Sequence, residues 1–287
     1  MSLNAVTPHR ARLGEGPFWD APTQALYWVD IAARQALRLM GGQLQVWQLP
    51  EHVSAFIPCE RGDALVTLSS GVYRLDLATE ALTLLCVADP KAGNRGNEAR
   101  CDAQGRLWLG TMQNNIGEQG EDLPITRRSG GLFRIDADAT VTRLLNGLGI
   151  PNTLLWNEAG SQVHFGDSMD GTLYQHSIQA DGQLGAAQAW FGPHTRGGPD
   201  GSAMDAEGYI WNARWDGSCL LRLTPSGAVD RIIELPVSRP TSCVFGGPEL
   251  TTLYITSAAS PLGHPLDGAV LAIEMDVPGK PCHRFAG

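Results

Sequence analysis

Apolar residues in this chain fall in short alternating runs, not on helical faces. No stretch of about 12 residues sustains an i, i+3, i+4 apolar pattern free of Gly or Pro, so the pattern predicts strands. One phrase, a turn followed by a strand of alternating apolar positions, recurs six times, at 20–30, 60–68, 102–111, 157–167, 205–214 and 247–256. Anchored on Leu26, Leu65, Leu107, Val163, Ile210 and Leu253, the copies are spaced 39, 42, 56, 47 and 43 residues apart. A second phrase, Gly followed by another short apolar strand, trails the later copies at 71–76, 131–136, 171–174, 217–223 and 268–273. Four short strands in a period of about 45 residues, six times over, predict an all-β, six-bladed β-propeller with four antiparallel strands per blade. The long third interval holds the polar stretch 113–128, expected to be a loop insertion. A length of 287 residues would by itself suggest two domains, but the repeat predicts one propeller domain over 1–287.

Composition fits this reading. The 34 Gly and 18 Pro supply turns for about two dozen strands, and 43% hydrophobic residues can build a core. No apolar run approaches a membrane span, and the first residues lack an apolar signal core. The six cysteines show no CxxC or zinc-ligand spacing and are expected to be reduced thiols in a cytoplasmic chain. Thirty acidic against 21 basic residues, a net charge of −9, weigh against nucleic acid as a partner. Only two of the basic residues, Lys91 and Lys280, are lysines, which weighs against P-loop or Schiff-base chemistry. A closed ring of blades is compatible with a monomer. Trp28, Trp108 and Trp211 fall just after the repeat anchors and read as packing between blades.

Candidate chemistry appears where polar residues interrupt the repeat. Glu15, Asn97, Asn152 and Asp200 stand 11, 10, 11 and 10 residues before their anchors, each flanked by Gly or Pro. The other two copies carry smaller residues at this register, near Ser54 and near Thr241 and Ser242. The innermost strand of each propeller blade lines the central channel, so four polar side chains at one register are expected to converge there. Taken singly, each is an ordinary turn residue; taken together, they predict a site. Two carboxylates and an amide oxygen form a hard, all-oxygen ligand set for one divalent metal ion (Ca, Zn, Mn, Mg or Fe) in the channel. A second register, at the ends of the following strands, holds Asp30, Thr111, Asp167 and Arg214. Asp167 is the expected support beside the metal, as ligand, outer-shell partner or proton acceptor, whereas Asp30 reads as a turn cap. The sequence Gly166-Asp167-Ser168-Met169 lacks the flanking glycine of a nucleophile elbow, and no HExxH or HxH pair occurs.

These residues resemble the senescence marker protein / gluconolactonase / luciferin-regenerating enzyme family of six-bladed propellers. The resemblance runs through nearly the whole chain, at Leu13–Pro17, Asn94–Glu98, Gly105–Met112, Pro151-Asn152, Pro199–Gly201, Asp205–Gly208 and Thr241–Gly247. It implies that Glu15, Asn152 and Asp200 hold the metal and that Arg95 and Asn97 bind the sugar ring and its hydroxyls. The implied activity is hydrolysis of a sugar lactone to the aldonic acid, with a metal-activated water attacking the carbonyl and Asp200 as ligand and general base. Three departures from the family pattern are visible. Thr153 stands where relatives often have Gly, Glu98 where many have Asp, and Gln113-Asn114-Asn115 where some place an acidic substrate contact. Asn115 is therefore the expected substrate-binding residue of that stretch. Two alternatives stay open: a non-catalytic calcium-binding regulatory propeller, and an organophosphate or aryl-ester hydrolase on the same fold.

Overall fold

The computed structural model describes residues 3–287; Met1 and Ser2 of the expected 1–287 domain lie outside the described residues. The recurring sequence phrase has a physical cause that its two best copies show. Asp102 accepts the backbone N–H groups of Gln104 and Arg106 through one oxygen and the Trp108 indole N–H through the other, at 2.8 Å. Asp205 does the same for Glu207, Tyr209 and Trp211, at 3.0 Å to the indole. The aspartate thus closes the turn and anchors the tryptophan that follows, and Gly105 and Gly208 supply the positive φ that each turn needs.

Among the described residues, twenty-four strands form six four-stranded antiparallel sheets, which are the six blades of the propeller. The inner strands are Gly14–Asp20, Val53–Pro58, Asn94–Cys101, Pro151–Trp156, Gly198–Met204 and Pro240–Gly246, for blades one to six. Each contacts the inner strands on either side, closing a ring around the channel. Closure is completed by the N-terminal strand Asn4–Ala5, which is the outermost strand of blade six and pairs with Leu271–Glu274. Stretch 114–129 is a loop between the second and third strands of blade three, as the spacing predicts.

Apolar side chains fill the wedges between blades. Tyr27 stacks on Phe56 at 4.8 Å, Trp108 meets Trp156 edge-on at 5.4 Å, and Trp211 meets Phe245 at 6.5 Å. Trp19 stacks on Tyr254 at 5.6 Å across the seam between blades one and six. Trp28 is fully buried. All six cysteines are free thiols. Among the described residues no helix is long and apolar enough to cross a membrane.

Candidate active site

The inner strands share one irregularity. Each breaks register once near the start of its second-strand pairing: between Glu15 and Phe18, Val53 and Ala55, Gly96 and Ala99, Asn152 and Leu154, Pro199 and Ser202, and Pro240 and Ser242. A bulge leaves residues out of the ladder and re-aims their side chains. Here it falls at the register singled out in the sequence. Two bulges use positive φ directly after a candidate ligand, +55° at Gly16 and +51° at Thr153. The second explains why glycine suits this position and what threonine adds. Thr153 is fully buried, and its hydroxyl donates to the Asp200 carbonyl at 2.7 Å. Asn212 donates to the same carbonyl at 3.0 Å, fixing the backbone that carries Asp200.

The predicted site residues form one connected network. Arg95 is buried and donates from Nε and Nη2 to Asn115 Oδ1, at 3.3 and 2.7 Å, and from Nη1 to Asn97 Oδ1 at 2.9 Å. Asn97 Nδ2 donates to the Pro151 carbonyl at 2.9 Å and reaches Asn152 Oδ1 at 3.3 Å. Asn152 Nδ2 donates to Ser168 Oγ at 2.8 Å, and Ser168 donates its own proton to the Pro199 carbonyl at 2.5 Å. Because the one hydroxyl proton of Ser168 goes to Pro199, Asn152 must offer it a nitrogen, which leaves the amide oxygen for the channel.

Glu15 and Asp200 complete the arrangement. The Glu15 carboxyl acts on that of Asp200, and Glu15 also accepts the Gly16 N–H at 3.0 Å. Among the described residues neither carboxylate belongs to an ion pair. Burial pushes the Glu15 carboxyl up to about 8, and the negative charge of Glu98 adds to the effect. Asp200 is held well above the usual carboxylate range, first by burial and then by the charges of Glu15 and Glu98. Two carboxylates without an ion-pair partner, Asp200 buried and Glu15 half-buried, together with the Asn152 amide oxygen, which accepts one long bond from Asn97 and keeps a second lone pair, suit a divalent cation. No group of three His, Cys, Asp or Glu side chains arranged for a metal occurs among the described residues; the fitting set is two carboxylates and an amide.

The second register does something else. Asp30 accepts the N–H groups of Arg12, Leu13 and Ala33. Asp167 accepts those of Gly149, Ile150 and Met169 and the Arg128 guanidinium at 2.8 Å. Thr111 binds Asp89, and Arg214 donates to the carbonyls of Arg196 and Gly197. All four grip the segment that leads into their own blade's inner strand. Asp167 therefore steadies the turn just before Asn152, and both its oxygens are already engaged. Ser168 is the site residue that the sequence reading missed, since its hydroxyl bridges blades four and five and no spacing rule encodes that contact.

Comparison with known proteins gives a consistent outcome. The sequence profile of the SMP-30/Gluconolactonase/LRE-like region matches residues 13–259. The chain is 36% identical to a 6-deoxy-6-sulfogluconolactonase of Pseudomonas putida, over 100% of this chain and 99% of that protein. It is 31% identical to an L-arabinolactonase of Azospirillum brasilense, over 97% and 93% of the two chains. Among solved structures, the calcium-binding protein regucalcin of Agrobacterium tumefaciens superposes with a TM-score of 0.89 at 28% identity, over 99% and 97% of the chains. With its six-bladed ring and full-length relatives, this chain belongs to the SMP-30/gluconolactonase/LRE-like family.

Proposed function

We propose that the protein hydrolyses a sugar lactone to its aldonic acid in the channel site, with one divalent cation held by Glu15, Asn152 and Asp200. The observation that carries this reading is the pair of ion-pair-free carboxylates, Asp200 buried and Glu15 half-buried, beside the Arg95–Asn97–Asn115 network. Relatives named as sulfoglucono- and arabinolactonases support the reaction class. The hard oxygen donors suit calcium, magnesium or manganese, and a structural neighbour named as calcium-binding supports calcium among them. Six free thiols suit a reducing compartment such as the cytoplasm.

A cation bound here supplies Lewis acidity toward the lactone carbonyl and lowers the pKa of water. The side chains do the rest. Arg95 has four of its N–H groups engaged with Gly96, Asn97 and Asn115, so its orientation is fixed and one Nη2–H stays available to substrate oxygens. Asp200 takes the proton of the attacking water at a carboxylate oxygen. As the ring C–O bond breaks, that proton passes to the departing alkoxide, and the product is the open hydroxy acid. Proton transfer of this kind contributes roughly 10²–10⁴-fold.

A pH-indicator assay over γ- and δ-aldonolactones tests the proposal, using protein stripped of metal and then given Ca, Mg, Mn, Fe or Zn. Lactone opening should appear only with added cation, and Asp200→Asn and Glu15→Gln should each abolish it while circular dichroism stays unchanged. Full activity in either variant overturns the site.

A further inference from the structure

Arg95 is surrounded by neutral acceptors. Its hydrogen bonds go to the Gly96 carbonyl and to the amide oxygens of Asn97 and Asn115, and among the described residues no carboxylate forms an ion pair with it. Glu15 is the one carboxylate whose field it feels appreciably. On the reading above, Glu15 is committed to the cation.

The charges around the channel give the same picture. Glu15, Glu98 and Asp200 are its carboxylates, and Arg95, Arg100 and Arg214 are the guanidiniums beside them. Arg100 is paired with Glu98 at 3.2 Å, and Arg214 is spent on the Asn212 amide and two carbonyls. A divalent cation held by Glu15 and Asp200 takes up both carboxylates and leaves Arg95 without an anionic partner. Arg95 then carries positive charge without a counter-charge in a buried setting where charge is poorly screened.

The rim adds to it. Loop 114–129 brings Asn115 to Arg95 and is tied to blade one, where Arg12 donates to the Gln119 carbonyl at 2.6 Å and Arg34 to the Glu118 carbonyl at 2.9 Å. Neither guanidinium is in an ion pair among the described residues. The rim carboxylates Glu51 and Glu121, both felt at His52, hydrogen-bond instead to Ser70 and to the Gln119 N–H.

We propose that the lactone this protein opens carries a second, acidic group (a carboxylate, sulfonate or phosphate), and that Arg95, left uncompensated because Asn115 is neutral, selects for it. This specificity rests on the lactonase reading of the same site. An aspartate at position 115 would meet Arg95 across the bonds that the amide oxygen now makes, neutralising it and repelling the substrate's anion.

The test compares lactones that differ only at the terminal carbon: D-glucono-1,4-lactone against D-glucaro-1,4-lactone, with D-glucono-1,5-lactone against its 6-phosphate as the phosphate arm. The wild type should open the acidic member of each pair with kcat/KM at least about tenfold higher, and the ratio should fall as salt rises. Asn115→Asp should bring the ratio close to one, and the neutral control Asn115→Ser should keep it. Preference for the carboxylate arm alone, or the phosphate arm alone, would identify the acid. A wild-type ratio of one or below in both arms, or a ratio untouched by Asn115→Asp, overturns the inference while leaving the lactonase reading in place. If no lactone is opened, the lactonase reading falls. Calorimetric binding of glucarate against gluconate to the cation-loaded protein then decides the charge preference alone, with equal affinities overturning it.

Discussion

Ser168 illustrates how little of this site a single side chain controls and how much its hydrogen bonds do. Its hydroxyl accepts from Asn152 and donates to Pro199, so it sets the orientation of the amide proposed as a cation ligand and ties it to the strand that carries Asp200. Ser168→Ala frees the Asn152 amide to turn its nitrogen toward the carboxylates, where it cannot serve as a ligand. We expect cation affinity to drop roughly 10–100-fold, the scale of outer-shell substitutions. Calorimetric titration of the metal would show this, and an unchanged affinity would remove the positioning role. Thr153 is the neighbouring case: a β-branched residue held at φ +51° with its hydroxyl on the Asp200 carbonyl. Glu15, Asn97, Asn152 and Asp200 were legible in the sequence because a repeat converts spacing into position. Ser168 was not, because its partner Pro199 belongs to the next blade and lies 31 residues away.

A strand inherits its chemistry from where its register breaks. The bulge in every inner strand falls at or directly after the candidate ligand register, and an alternating apolar pattern carries no mark of it. The second-register residues show the complementary case. Their recurrence marks a structural duty, since Asp30, Thr111, Asp167 and Arg214 each hold the segment entering an inner strand. His164, on the strand Gln162–Asp167 of blade four, yields a prediction at this scale. Both its ring nitrogens are buried without a partner, the Trp190 ring packs edge-on at 4.6 Å, and burial lowers its pKa to about 4. A histidine whose folded pKa lies below its unfolded value of about 6.5 favours the fold above that value. The contribution is lost as pH falls through 6.5 toward 4, by up to ~3 kcal/mol. Urea melts at pH 7 and pH 4.5 should therefore differ less for His164→Phe than for the wild type; identical pH dependence would contradict the assignment.

The assembled ring is closed twice. At the edge, the N-terminal strand completes blade six. On the face away from the candidate site, the C-terminal segment laces the blades together. Its backbone bonds Leu250, Met204, Ala206, Pro58 and Gly105, and Arg284 pairs with Asp20. Phe285 is fully buried at its end, in the core shared by blades one to three. Phe285→Ala should cost about 3–5 kcal/mol of stability, the usual range for a buried aromatic truncated to a cavity. A denaturant midpoint within error of the wild type would show that the segment is not part of the cooperative fold. This lacing was invisible beforehand, since residues 276–287 fall outside the repeat and make single long-range bonds instead of a ladder. The sequence by itself determined the number of blades, the strand period and the register at which polar side chains replace apolar ones, because these are local properties that repeat. Only the tertiary structure decided that the Glu15 carboxyl acts on that of Asp200 and that Ser168 sets the Asn152 amide. It alone, too, surrounds Arg95 with neutral acceptors, for each of these depends on closing the ring, which brings groups from different blades within hydrogen-bonding distance.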